Sequence, residues 1–210
     1  MRYFIPFALA GGLIAAATPA MAQDERAPFT GPRVEAVVGY DNLSGGDDGV
    51  DDSVDGLAYG VGLGYDVQFG QAIVGIEGEV LGSTTKLRGY DINIPGDGAQ
   101  LRAGRDLYIG ARAGFAVAPA TLVYLKGGYT NGKLNARYYS PSGFYAEEGR
   151  TMDGWRIGAG IEQKFNLFGP GGYVKAEYRY SNYSNLNLGD FNADIDVDRH
   201  QVVAGVGVRF

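Results

Sequence analysis

Few side chains in this chain could do chemistry. His200 is its single imidazole, and Ser181 and Ser184 lie near enough in sequence to be considered as hydroxyl partners. A base beside a hydroxyl is the minimum for acyl transfer. Their spacing matches no triad motif, so the plainer reading is a histidine at the rim of a strand. Asp47, Asp48, Asp51, Asp52 and Asp55 offer oxygen ligands of the kind calcium takes, but the run lacks the D-x-D-x-D-G register and reads as a solvated acidic loop. Gly-x-Gly recurs with a period of two, which is strand packing and not a nucleotide fingerprint. With no cysteine, disulfide scaffolds, zinc ribbons and thiol nucleophiles are excluded. We therefore expect no catalytic residue, no metal and no cofactor.

The elements that carry these residues are β-strands. The chain has 210 residues with 35 Gly and 12% aromatics, a pairing that helices avoid because glycine costs about 1 kcal/mol there relative to alanine. Met1-Arg2, the apolar run Tyr3 to Ala17 and the small-x-small site Ala20-Met21-Ala22 predict a cleaved export signal over 1–22, leaving 23–210 as one mature domain. Acidic side chains outnumber basic ones by 24 to 18, which argues against nucleic acid as a partner. Eight alternating segments follow, at 32–41, 57–68, 71–82, 105–117, 121–130, 154–165, 173–182 and 199–210. Long connections alternate with short ones, as in an up-and-down antiparallel sheet.

Splitting each strand by parity separates two faces. One is apolar: Val34, Val38, Leu63, Ile76, Ile109, Leu125, Ile157 and Val206 are typical of it. The other interleaves glycine with Arg33, Glu35, Glu77, Glu79, Arg112, Lys126, Arg156, Glu162, Lys175, Glu177 and Arg179. A soluble barrel would turn the apolar face inward, and an outer-membrane barrel would turn it to lipid. Strands of nine or more residues suit a tilted bilayer crossing. Aromatics at strand ends suit the two headgroup interfaces, with Tyr65, Phe115, Phe165 and Phe210 on the short-turn side and Trp155, Tyr178 and Tyr180 in the other half. These features predict an all-β fold, an eight-stranded antiparallel up-and-down transmembrane β-barrel.

Eight strands leave an interior that side chains can fill. Charges of both signs inside it would pair, since a lone buried charge costs several kcal/mol. A lumen plugged by salt bridges is thus expected, with a low-conductance or gated porin as the alternative. Binding would then belong to the long connections, where Tyr138, Tyr139, Phe144 and Tyr145 form either a contact surface for an extracellular ligand or a cap on the rim.

The segment Gly154-Trp155-Arg156-Ile157-Gly158-Ala159-Gly160-Ile161-Glu162, followed by Val174-Lys175-Ala176-Glu177-Tyr178-Arg179-Tyr180, resembles the GW-x-x-GAG-x-E and AEYRY signature of small Gram-negative outer-membrane proteins of the porin-like, immunogenic type. Gly64-Tyr65-Asp66-Val67-Gln68-Phe69-Gly70 with Val74-Gly75-Ile76-Glu77-Gly78-Glu79 is similar too. The resemblance runs the length of the mature chain and implies a barrel of the OmpA-transmembrane or opacity type in the outer membrane. It also implies that the terminal Val208-Arg209-Phe210 is the aromatic signal read by the barrel-assembly machinery. No enzyme activity is implied. The expected role is a contribution to envelope integrity and the display of surface loops.

Overall fold

The computed structural model describes residues 28–45, 52–90, 97–143, 145–165, 171–184, 186–188, 191–193 and 197–210. The export-signal segment, Asp47, Asp48, Asp51 and Phe144 lie outside the described residues, and Asp52 is described in its backbone alone. The strands are β1 Gly31–Gly45, β2 Asp52–Phe69, β3 Ala72–Ser83, β4 Lys86–Tyr90, β5 Gly98–Ala118, β6 Thr121–Tyr139, β7 Tyr145–Lys164, β8 Gly172–Ser184, β9 Leu186–Leu188, β10 Phe191–Ala193 and β11 Val197–Arg209. Eight of them close a ring of antiparallel neighbours in the order β1, β2, β3, β5, β6, β7, β8, β11 and back to β1. Closure removes every open sheet edge from the wall, which a bilayer requires because it offers the backbone no hydrogen-bond partner.

The wall is one residue thick, so parity decides what each side chain meets. Ile76 and Leu125 on the outer surface are 68% and 67% exposed, whereas Arg33, Arg156 and Arg179 inside are at 1% or less. Water on the outer surface would face a continuous apolar band, so this is a lipid-facing wall. On the closed side, β2 and β3 are joined through Gly70 and Gln71, and Gly70 takes the left-handed φ of +63° that glycine adopts without a Cβ clash. Pro119 and Ala120 join β5 to β6.

The strands run further than alternation predicts. Segments expected as long connections at 42–56, 83–104 and 131–153 are largely paired: β1 and β2 reach Gly45 opposite Asp52, β4 continues beside β5, and β6 and β7 stay in register to Tyr139 opposite Tyr145. Beyond Asn131, at about 3.3 Å per residue, roughly 25 Å of the β6–β7 hairpin projects past the band. In β5, Gly104 and Arg105 stand opposite the single residue Lys133 of β6, a β-bulge that inverts the parity of β5 above Asp106.

Candidate functional site

Among the described residues the lumen network joins eight buried bases, Arg33, Arg112, Lys126, Arg156, Lys175, Arg179, Arg199 and Arg209, to eight buried acids, Glu35, Asp41, Asp66, Glu77, Glu79, Asp106, Glu162 and Glu177, while the buried Asp97 pairs with Tyr138 in the third hairpin. Equal numbers make it neutral, and neutrality is what permits so many charges to leave water. The groups fall into three layers.

At the short-turn end Asp66 accepts from Arg33 Nε at 3.1 Å, Arg112 Nε at 2.8 Å and Arg209 Nη1 at 2.6 Å. Glu162 accepts from Arg209 Nη2 at 2.7 Å and Arg112 Nη2 at 3.1 Å. In the middle layer Glu35 takes Lys175 Nζ at 2.6 Å, Arg33 Nη1 at 2.9 Å and the Tyr173 hydroxyl at 2.7 Å. Lys126 Nζ sits 2.5, 2.7 and 3.1 Å from Glu77, Glu79 and Glu177. Arg33 also pairs with Glu77, and Arg179 with Glu177 and Glu79.

In the outer layer Asp106 accepts from Arg156 Nη2 at 2.5 Å, Arg199 Nη1 at 2.7 Å, the Tyr183 hydroxyl at 2.8 Å and the Thr130 hydroxyl at 2.7 Å. Asp41 takes a two-pronged pair from Arg199, at 2.7 and 2.8 Å. Such a fork fixes direction as well as charge. Arg33 links the first layer to the second, Arg156 reaches from Asp106 toward Glu79 at 3.7 Å, and Arg199 joins Asp106 to Asp41. The network is therefore continuous from Glu162 to Asp41.

Apolar clusters bound it at both ends. Phe29, Ile73, Leu122 and Tyr124, with Ala116 against them, close the short-turn end. Met152, Tyr183 and Val197, with Leu43 and Leu134, lie above the outer layer. Glycines make room for the inner tyrosines: a Cβ on Gly160 would stand 2.6 Å from the Tyr124 hydroxyl, which itself donates to Glu177 at 2.6 Å.

The residues read from the sequence as a charge network, Arg33, Glu35, Glu77, Glu79, Arg112, Lys126, Arg156, Glu162, Lys175, Glu177 and Arg179, all have buried side chains within this lumen. That reading missed Asp41, Arg199 and Gln201, and the inward Tyr108, Tyr124, Tyr173 and Tyr183. Of the predicted belt, Tyr65, Phe115, Trp155, Tyr178 and Phe210 are exposed on the outer wall. Phe165 and Tyr180 are half-buried, Tyr180 because it stacks edge-on against Trp155 at 5.3 Å. Ser181 and His200 point to opposite sides of the wall: Ser181 is buried and accepts from Arg156 Nε at 2.8 Å, whereas His200 on the outer surface bonds the Tyr178 hydroxyl at 2.7 Å. They cannot act as a nucleophile and its base. The side chain of Ser184 lies outside the described residues. In the third hairpin Tyr138 donates to Asp97 at 2.8 Å, and Tyr139 and Tyr145 are exposed neighbours across the pair.

One pattern on the outer surface has no counterpart in the sequence reading. Tyr40 and Asn42 of β1 both donate to Oδ1 of Asp55 on β2; Tyr129 and Asn131 of β6 both donate to Oδ1 of Asp153 on β7; Tyr180 and Asn182 of β8 both donate to Oδ1 of Asp198 on β11. In each case the asparagine is the register partner of the aspartate. The clamps stand on six neighbouring strands, where the apolar band ends on the side of the long hairpins. The tyrosine hydroxyl first, then the asparagine amide, hold each carboxyl below its ordinary range. Asp55, counted among the carboxylates of the acidic loop, is thus committed to this clamp. Among the described residues no group of three or more His, Asp or Glu is arranged to hold a metal ion.

Over residues 7–210 the sequence matches the family described as "Outer membrane protein beta-barrel domain". Neisserial surface protein A superposes with a TM-score of 0.54 at 16% identity, covering 86% of this chain and 98% of that one. Ail, the attachment invasion locus protein of Yersinia pestis, gives a TM-score of 0.46 at 18% identity, over 84% of this chain and 99% of that one. The outer membrane protease OmpT of Escherichia coli gives 0.43 at 10% identity, over 85% and 97%. At these identities the likeness is one of fold. No curated protein matches the sequence.

Proposed function

The chain belongs to the outer membrane protein beta-barrel domain family, a barrel of the Gram-negative outer membrane, and from that premise we propose that it is a non-enzymatic, non-conducting barrel that reinforces the envelope and displays its hairpins outside. The observation that carries this reading is the neutral network of eight acids and eight bases lying between two apolar clusters. A solute entering the lumen would have to separate ion pairs that hold each other out of water, and removing one partner from such a pair costs about 3–5 kcal/mol. The geometry of Ser181 and His200, on opposite faces of the wall, supports the absence of a hydrolytic centre.

The first 22 residues act in this reading as an export signal that is removed. Phe210 stands exposed on the outer wall, with its amide donating to the Pro32 carbonyl at 2.9 Å, and it serves as the handle for barrel assembly. The β6–β7 hairpin, with Tyr139 and Tyr145 outward, offers the extracellular contact surface.

The competing reading is a small-solute porin. Its best support is the loosest joint of the network, the 3.7 Å separation of Arg156 and Glu79, where Arg156 Nη1 and Glu79 Oε2 have no hydrogen-bond partner among the described residues. Liposome swelling separates the two. Vesicles carrying the folded barrel should keep their volume in isotonic arabinose or glycine, like empty vesicles; swelling in proportion to barrel content would establish the porin. Intact mass of the exported protein should correspond to a chain starting at Gln23.

A further inference from the structure

The clamp on β8 and β11 differs from the other two in its neighbours. Beside Asp198 stand Trp155, Tyr178, Tyr180 and His200, with the Tyr180 ring 5.1 Å from the His200 ring and 5.3 Å from Trp155. Trp155 and Tyr178 present nearly half their surface outward. Tyr180 and Asn182 both spend their donors on Oδ1 of Asp198, at 2.6 and 3.0 Å, and Oδ2 is uncommitted among the described residues. The Tyr178 hydroxyl and Nδ1 of His200 share a hydrogen bond at 2.7 Å, which leaves Nε2 for a further partner.

This patch therefore presents a carboxylate acceptor, an imidazole nitrogen and aromatic faces together. It points away from the lumen and sits where the apolar band ends, so what meets it is the headgroup layer of the outer leaflet and not a ligand held above the hairpins. A bare phosphate would be repelled by the carboxylate. An ammonium would satisfy Asp198 but brings no flat C–H face to stack on the rings. A sugar brings hydroxyl donors, oxygen acceptors and a C–H face for the rings.

We propose that the outer-wall patch of Trp155, Tyr178, Tyr180, Asn182, Asp198 and His200 binds the sugar headgroup of an outer-leaflet glycolipid. The sugar stacks on Trp155 and Tyr178, a hydroxyl donates to Oδ2 of Asp198, and His200 Nε2 bonds a second sugar hydroxyl, a group able to donate or accept. This rests on the outer-membrane placement of the barrel but not on its lumen being closed, so a conducting barrel would leave it intact.

Trp155 is the chain's single tryptophan, and its emission reports on this patch and on the neighbouring clamp of Tyr129 and Asp153. Folded barrel in phosphatidylcholine vesicles is compared at rising mole fractions of rough-type lipopolysaccharide, phosphatidylglycerol or phosphatidylethanolamine. The proposal predicts a saturable emission change with lipopolysaccharide only. Asp198→Asn should raise the half-saturating fraction roughly tenfold, as expected for losing a hydrogen bond to a charged group. Asp55→Asn, in the clamp on β1 and β2, should leave the response unchanged. Heat-modifiable gel mobility verifies folding; if Asp198→Asn does not fold, Tyr178→Phe should weaken the response in its place. No saturation with lipopolysaccharide, an equal response to either phospholipid, or an unchanged half-saturation in the folded variant would each overturn it.

Discussion

Arg33 reaches Asp66, Glu35 and Glu77 from one guanidinium, so its removal takes one cationic partner from three buried carboxylates at once. Arg33→Met should cost about 3–5 kcal/mol, the range for breaking a buried pair by deleting one partner. The midpoint of urea unfolding, followed by heat-modifiable mobility, checks it; a midpoint equal to the parent's would mean that the lumen charges are not mutually dependent. On the outer surface the clamp aspartates behave differently. Their lowered folded values make the clamps' contribution complete above the ordinary carboxylate value of about 4, and it is lost as pH falls through the lowered folded values. Trp155 emission should therefore shift in acid below about pH 4. That shift should be absent from Asp153→Asn if the clamp next to Trp155 is its source. At this scale the sequence distinguishes inner from outer wall only where alternation has neighbours on both sides. Asp41 and Arg199 fall at the ends of the alternating segments, where parity has nothing to count against. The clamps join strands whose register no single segment reveals.

Alternation is a signal of unequal surroundings, and it ends where both faces of a strand meet water. Backbone pairing does not end there. That is why β6 and β7 look like a loop from Asn131 to Asp153 and yet stay in register to Tyr139 and Tyr145. The β-bulge at Gly104 and Arg105 hides the extension of β5 in the same way, by breaking parity where a strand would be read. Hydrogen exchange tests the extension directly: amides of β6 and β7 beyond Asn131 should show protection well above that of an open loop, while exchange at the unstructured rate would contradict the hairpin. Packing inside the wall gives a second test. Gly160→Ala would push on Tyr124 and its bond to Glu177, and overpacking of this kind costs about 1–3 kcal/mol. The Gly160→Ala, Tyr124→Phe double variant should recover part of that loss.

The whole molecule is a wall that reverses the usual arrangement, apolar outside and charged inside. Its strand number is what makes the inside a network and not a passage, because eight strands bring facing side chains within reach of each other. Neutrality then allows the network to be continuous, from Glu162 at one end to Asp41 at the other, with Phe29, Ile73 and Leu122 below and Met152, Tyr183 and Val197 above. The measurement that bears most directly on this account is single-channel recording of the folded, heat-modifiable barrel in planar bilayers at high salt. The account predicts a quiet membrane, with discrete events emerging only when the joint is opened by Arg156→Ala together with Met152→Ala. Reproducible, ion-selective steps from the unaltered protein would contradict it.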